Sequence, residues 1–118
     1  MQIHGLMTIV ETPAFLDSCR KLLDESDREL LVSYLAAHPD SGDLIPGTGG
    51  LRKMRWALEG RGKRGGARVI NFLLSERMPI FLLTAYAKNQ RSDLSAAERA
   101  EFKKLTKQLA VAYESKKS

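Results

Sequence analysis

The residues best suited to chemistry in this chain are basic and lie close together. Between Leu51 and Arg68 stand seven cations, Arg52, Lys53, Arg55, Arg61, Lys63, Arg64 and Arg68, against one acid, Glu59. That window carries a net +6, while the other 100 residues carry 12 basic and 13 acidic groups, a net −1. Lys53 and Arg55 are two apart in an alternating segment, so they leave one side of a strand together. Arginine stays charged and grips phosphate oxygens with a planar fork. A lysine crowded by other cations gives up its proton more readily, because like charges disfavour the ammonium, and so gains a route to acting as a base. Seven like charges repel one another, and the arrangement becomes favourable when a polyanion binds and releases its counterions. The competing reading is a solvated hairpin tip.

Other chemistries find little support. Cys19 is the single cysteine, so neither an internal disulfide nor a thiolate zinc site can form. On an apolar helix face it reads as a small core residue. His4 and His38 have no companions at motif spacing. No HExxH, CxxC or paired-carboxylate pattern occurs, which disfavours a metal site or glycosidase chemistry. The glycine-rich run Gly47–Lys53 fails the P-loop spacing and precedes a strand rather than a helix. Its glycines suit positive φ and close approach of a backbone. No cofactor is expected.

These side chains need a scaffold, and the chain supplies one domain's worth of it. It has 118 residues, 43% of them hydrophobic, and a net charge of +5. One domain over residues 1–118 is expected, with residues 1–6 as a disordered extension. No run of about 18 apolar residues marks a membrane span, and no secretory signal pattern opens the chain. With a lone cysteine, this points to the cytoplasm.

Thr8 to Val10 is short and β-prone. Thr12-Pro13 reads as an N-cap with proline at the first helical position. The helix that follows buries Phe15, Leu16, Cys19, Leu22 and Leu23. Ser26-x-x-Glu29 has the form of a capping box for a second helix, with Leu30, Leu31, Tyr34 and Leu35 as its stripe. His38-Pro39 ends it. Asp40 to Gly50 is a loop. Met54, Trp56 and Leu58 then alternate with Lys53, Arg55 and Ala57, a half-buried strand. A glycine-rich turn over 59–66 leads to a second strand from Ala67 to Leu74, with Arg68, Ile70, Phe72 and Leu74 on one face. Pro79 to Ala87 is apolar on both faces and reads as a central strand. Ser95-x-x-Glu98 caps a long last helix with Phe102, Leu105, Leu109 and Ala112 inward. The order predicts an α+β fold: an N-terminal strand and helix hairpin, a three-stranded antiparallel sheet, and a C-terminal helix. Helices cover one sheet face in this reading, and the other is at least partly open.

Three segments, Gly47-Thr-Gly-Gly-Leu-Arg-Lys-Met-Arg-Trp, Gly62-Lys-Arg-Gly-Gly-Ala-Arg-Val-Ile and Leu82-Leu-Thr-Ala-Tyr-Ala-Lys-Asn-Gln-Arg-Ser-Asp-Leu-Ser, together resemble the RelE/ParE superfamily of toxins from type II toxin–antitoxin systems. The likeness runs over roughly residues 7 to 112 and is nearest to the HigB branch. It implies a RelE-like microbial RNase fold and ribosome-dependent, metal-independent cleavage of mRNA in the A site. It also implies neutralisation by a HigA-like helix-turn-helix antitoxin, with which the toxin could sit on operator DNA. By the family pattern Lys53 is the candidate base, Arg55 a phosphate or transition-state stabiliser, and Arg68 a phosphate clamp. Lys88 matches a further basic position, and Arg52, Arg61, Lys63 and Arg64 are read as RNA contacts. Asn89, also assigned to RNA binding, falls where RelE-type members carry an arginine. Ser95 falls where they carry a catalytic tyrosine. These departures leave the general acid unassigned, and Tyr86 is a nearby phenol without a matching role. Trp56 shares the face of Met54 and Leu58 and is expected to pack in the core rather than stack on a base. The alternatives are a ParE-like toxin that acts on DNA gyrase without cutting RNA, and a non-catalytic RNA-binding module.

Overall fold

A computed structural model describes residues 6–58, 66–75, 77–91 and 93–115. The elements run β1 (Ile9–Glu11), α1 (Pro13–Cys19), α2 (Glu25–Ala37), β2 (Asp43–Leu44), β3 (Leu51–Trp56), β4 (Ala67–Phe72), β5 (Ile80–Ala87) and α3 (Ala96–Ser115). Arg61, Lys63, Arg64 and the expected N-terminal extension up to residue 5 lie outside the described residues.

The sheet has five strands in the order β1-β5-β4-β3-β2, not the three expected. The antiparallel trio β3, β4 and β5 is its centre. β1 adds in parallel to β5, with Ile9 opposite Ile80 and Glu11 opposite Leu82. β2 adds antiparallel to β3, with Asp43 opposite Lys53. Both additions are too short to show a period-2 pattern, and β2 sits inside a segment that reads as loop. Parallel pairing of β1 with β5 requires a long crossover, which the rest of the domain supplies.

Local chemistry sets the helix starts. Thr12 caps α1, its Oγ1 accepting from the Phe15 N–H at 3.2 Å. The same hydroxyl donates to the Leu82 carbonyl at 2.7 Å, which ties the helix start to the central strand. α2 begins one turn fraction earlier than the Ser26 box predicts. Asp24 is the cap, its carboxylate accepting from the Asp27 N–H at 2.8 Å. An aspartate caps as well as a serine, and its charge also suits the helix N-terminus. The last helix keeps its expected box: Ser95 Oγ accepts from the Glu98 N–H at 3.1 Å, and Glu98 Oε1 accepts from the Ser95 N–H at 2.9 Å.

Helices pack on both sheet faces, and the second face, expected to be at least partly open, is covered by α3 over much of its area but leaves Arg55 exposed. Phe15, Cys19, Leu22, Leu23, Leu31 and Leu35 from the α1–α2 region cover Met54, Val69, Leu82 and Ala85. On the other side Phe102, Leu105, Leu109 and Tyr113 of α3 cover Leu51, Ile70, Phe72, Phe81 and Leu83. Tyr113, not the exposed Ala112, completes the α3 stripe, and its ring meets Phe81 edge-on at 6.0 Å. All eight residues of β5 are buried, as a strand apolar on both faces requires. A register shift against β4 between Ile70 and Asn71 lets Phe81, Leu83 and Tyr86 all reach the α3 side. β4 stops at Phe72, two residues before the expected end, and Leu74 is exposed. Among the described residues no helix is long and apolar enough to cross a membrane.

Candidate nucleic-acid interface

The antiparallel register assembles the cations. Arg55 lies opposite Arg68, and Arg68 lies opposite Tyr86, so the three form one row across β3, β4 and β5. Lys53 is one step along the same face, opposite Ile70. Arg55 is exposed, while Arg68 is only 9% exposed, with Nη1 donating to the Ala67 carbonyl at 3.3 Å. Like charges directly opposite each other across two strands cost stability. A scaffold that needed only packing at these positions gains nothing from two arginines there.

The segment before α3 borders this row with a small ionic network. Lys53 Nζ lies 3.5 Å from Asp93 Oδ1, and Arg99 Nη2 lies 3.2 Å from Asp93 Oδ2. The Leu94 N–H donates to Asp93 at 2.8 Å. That backbone bond first, then Lys53 and Arg99, holds the Asp93 carboxyl below the usual carboxylate range despite partial burial. Arg91 forks onto Glu98 through contacts of 2.6 and 3.1 Å. Those bonds are the main cause of the Glu98 pKa falling to about 2. The guanidinium of Arg91 also lies 4.5 Å from the centre of the Tyr86 ring. Burial, with Asp93 adding to it, pushes the Tyr86 phenol up, so it keeps its proton at neutral pH.

The expected site residues are thus partly brought together. Lys53, Arg55 and Arg68 share one patch. Arg52 sits on the opposite side of β3 by strand alternation and donates through Nη1 to the carbonyls of Asp40 and Gly42, both at 3.1 Å. Lys88 and Asn89 are exposed in the turn after β5, and the Lys88 N–H donates to the Gly66 carbonyl at 3.0 Å. That bond puts the turn beside the start of β4, at the Arg55–Arg68 end of the sheet. Sequence reasoning missed Asp93, Arg91 and Arg99. Asp93 lies 40 residues from Lys53 and reads as the lead-in to a capped helix. No local pattern announces a partner at that distance. Trp56 is half-buried against the α1–α2 core and also stands 5.7 Å from the Tyr34 ring.

As a chemical device, the row offers fixed positive charge along one strand face, with a buried arginine at its centre. It can hold a phosphate and stabilise added negative charge on it.

Two comparisons bear on this reading. A family model described as the RelE toxin of the RelE/RelB toxin–antitoxin system matches residues 18–117. Among solved structures, the fold is similar to that of a double arginine-to-alanine variant of the E. coli toxin RelE in its free state. That likeness has a TM-score of 0.51 and 17% identity, and covers 72% of this chain and 86% of the other.

Proposed function

The chain belongs to the RelE family of toxins from toxin–antitoxin systems, and from that membership we propose that it is a ribosome-dependent mRNA endonuclease that inhibits translation. The observation that carries the reading is the facing pair Arg55 and Arg68 with Lys53 one step along the same face. The reaction we assign needs no metal. The ribose 2′-OH attacks the adjacent 3′ phosphorus, the bond to the 5′ oxygen breaks, and a 2′,3′-cyclic phosphate and a 5′-OH result. The 2′-OH loses a proton and the 5′ oxygen gains one. Arg55 and Arg68 grip the non-bridging oxygens as charge builds on the phosphorane. Lys53 touches the same phosphate. With Asp93 at 3.5 Å, it is oriented by a carboxylate as well as crowded by cations. Arg61, Lys63, Arg64, Lys88 and Asn89 extend the contact to the RNA backbone.

Asn89 and Ser95 stand where the resemblance expects arginine and tyrosine in RelE-type members, and for that reason we assign the chain to the HigB-like branch. A HigA-like helix-turn-helix antitoxin, encoded beside it, is the partner this implies. Mapping mRNA 5′ ends by primer extension after brief induction tests the reading. Cuts within translated frames are expected, and they should vanish when translation initiation is blocked. The Lys53→Ala, Arg68→Ala double variant should fold and make no cuts. Intact mRNA together with gyrase-dependent DNA damage would select the ParE-like alternative instead.

A further inference from the structure

Behind the cationic face, on the other side of β3, lies an aromatic groove that the proposed chemistry does not use. It has a volume of about 550 Å³ and is lined by Asp27, Leu30, Ser33, Tyr34, Trp56 and Ala57. Leu30 is 59% exposed and Tyr34 44% exposed, and both line this groove beside Trp56. Tyr34 is the hub of three rings, 4.4 Å from His38 and 5.7 Å from Trp56 between centroids.

The groove does not end there. A second depression of about 380 Å³ shares Tyr34 and Trp56 with it and is lined further by Lys53, Arg55 and one acid, Asp43, so its balance is two cations to one carboxylate. β2 pairs only with Arg52 and Lys53, and this depression is lined by residues of both faces of β3, Lys53 and Arg55 from one and Met54 and Trp56 from the other. Among the described residues, no strand covers the Met54–Trp56 edge beyond that. A path therefore runs from Lys53 and Arg55, around this edge, onto Trp56 and Tyr34.

We propose that the Tyr34–Trp56 groove is a subsite for an unpaired nucleobase of the same RNA strand whose phosphate lies on Lys53 and Arg55. The proposal rests on the cationic face being an RNA site. The chemistry of the path divides as a nucleotide does. Its cationic end suits phosphate. Its far end offers ring faces and the apolar Leu30, on which any base stacks. Asp27 and Ser33 at that end repel or ignore phosphate but accept hydrogen bonds from exocyclic amines. A backbone phosphate placed there would meet a carboxylate, so the base is the part that enters.

Trp56 is the single tryptophan of the chain, so its emission reports the groove directly. The free protein is titrated at low salt with a 2′-O-methyl RNA hexamer of mixed sequence, which cannot be cleaved, and with an abasic hexamer of the same backbone. Binding is followed by the polarisation of a dye on each oligomer. The expected result is saturable quenching of Trp56 by the base-bearing hexamer and little quenching by the abasic one at equal occupancy. Tyr34→Ala and the charge-neutral Leu30→Ser, both at exposed positions, should each weaken the base-bearing hexamer, Tyr34→Ala by about tenfold, the order set by base–aromatic stacking. They should leave abasic binding unchanged. Equal quenching by both oligomers, no quenching at full occupancy, or no binding of either would overturn the proposal. So would a groove whose emission responds only to the antitoxin. If wild-type protein cuts mRNA but shows no base-dependent quenching, the subsite alone falls. If quenching is base-dependent but translated mRNA stays intact, the nuclease reading alone falls.

Discussion

Lys53 and Asp93 meet across 40 residues of chain, and that contact changes what the lysine can be asked to do. From sequence, only the neighbouring cations are visible, and no partner of opposite charge is. With a carboxylate at 3.5 Å, the charged side chain has a partner that orients it toward the Arg55–Arg68 row. Charge and proton transfer then make different predictions. If Lys53 acts through its charge, Lys53→Arg should keep cleavage within about tenfold of wild type in single-turnover assays on translating ribosomes. Lys53→Met should lose about 10² to 10³-fold, the usual cost of removing one preorganised stabiliser. Equal loss in both variants would instead assign Lys53 the proton. Glu98 supports the site from the other side by holding Arg91 and capping α3. Its pKa is depressed to about 2, so its stabilising effect is full above its ordinary value near 4.5 and is lost as pH falls toward 2. Thermal melts should therefore drop more steeply between pH 5 and 2.5 in the wild type than in Glu98→Gln.

The elements that carry strong local signals were legible. Thr12-Pro13, the Ser95–Glu98 box and the alternation through Lys53, Met54, Arg55 and Trp56 each have a chemical reason to appear in sequence, and each is realised. The misses share a physical cause. β1 was expected as a strand but not as a member of the sheet, and the two-residue β2 was not expected at all; both pairings are decided by neighbours distant in the chain. The α2 cap went to Asp24 because two capping residues competed within one turn, and sequence pattern alone does not rank them. The partition of α3 and the helix hairpin onto opposite sheet faces is likewise tertiary. Gly66 shows how closely the site's strands depend on one residue. It has φ +62°, and a Cβ there would lie 2.5 Å from the Trp56 carbonyl oxygen. That carbonyl belongs to backbone and cannot swing aside. Gly66→Ala should therefore cost about 2 kcal/mol in urea unfolding and loosen the end of the sheet that holds Arg55 and Arg68.

For the molecule as a whole, the net charge of +5 conceals a division of labour. The scaffold outside residues 51–68 is nearly neutral, so its folding is not burdened by self-repulsion, and the excess is confined to β3, the start of β4 and the segment between them. The register, not the sequence, decides how much of that excess acts together. Lys53, Arg55 and Arg68 converge, whereas Arg52 leaves the row to hold the Asp40–Gly42 backbone. Counting charges in the window therefore overstates the footprint of a bound strand, and salt dependence measures the difference. If five side chains meet phosphates of single-stranded RNA, log K should fall with log salt at a slope of roughly −3.5. Replacing both Lys53 and Arg55 by methionine should reduce the slope by about 1.4, since each phosphate contact on a single strand contributes about 0.7. Arg52→Met should leave the slope unchanged and lower stability instead, because its guanidinium serves backbone carbonyls. Lys107→Met, an exposed cation on α3, should change neither. A slope that falls equally for all of these substitutions would mean the charge acts as a diffuse cloud, and the row on the sheet would lose its claim to be the place where RNA is held.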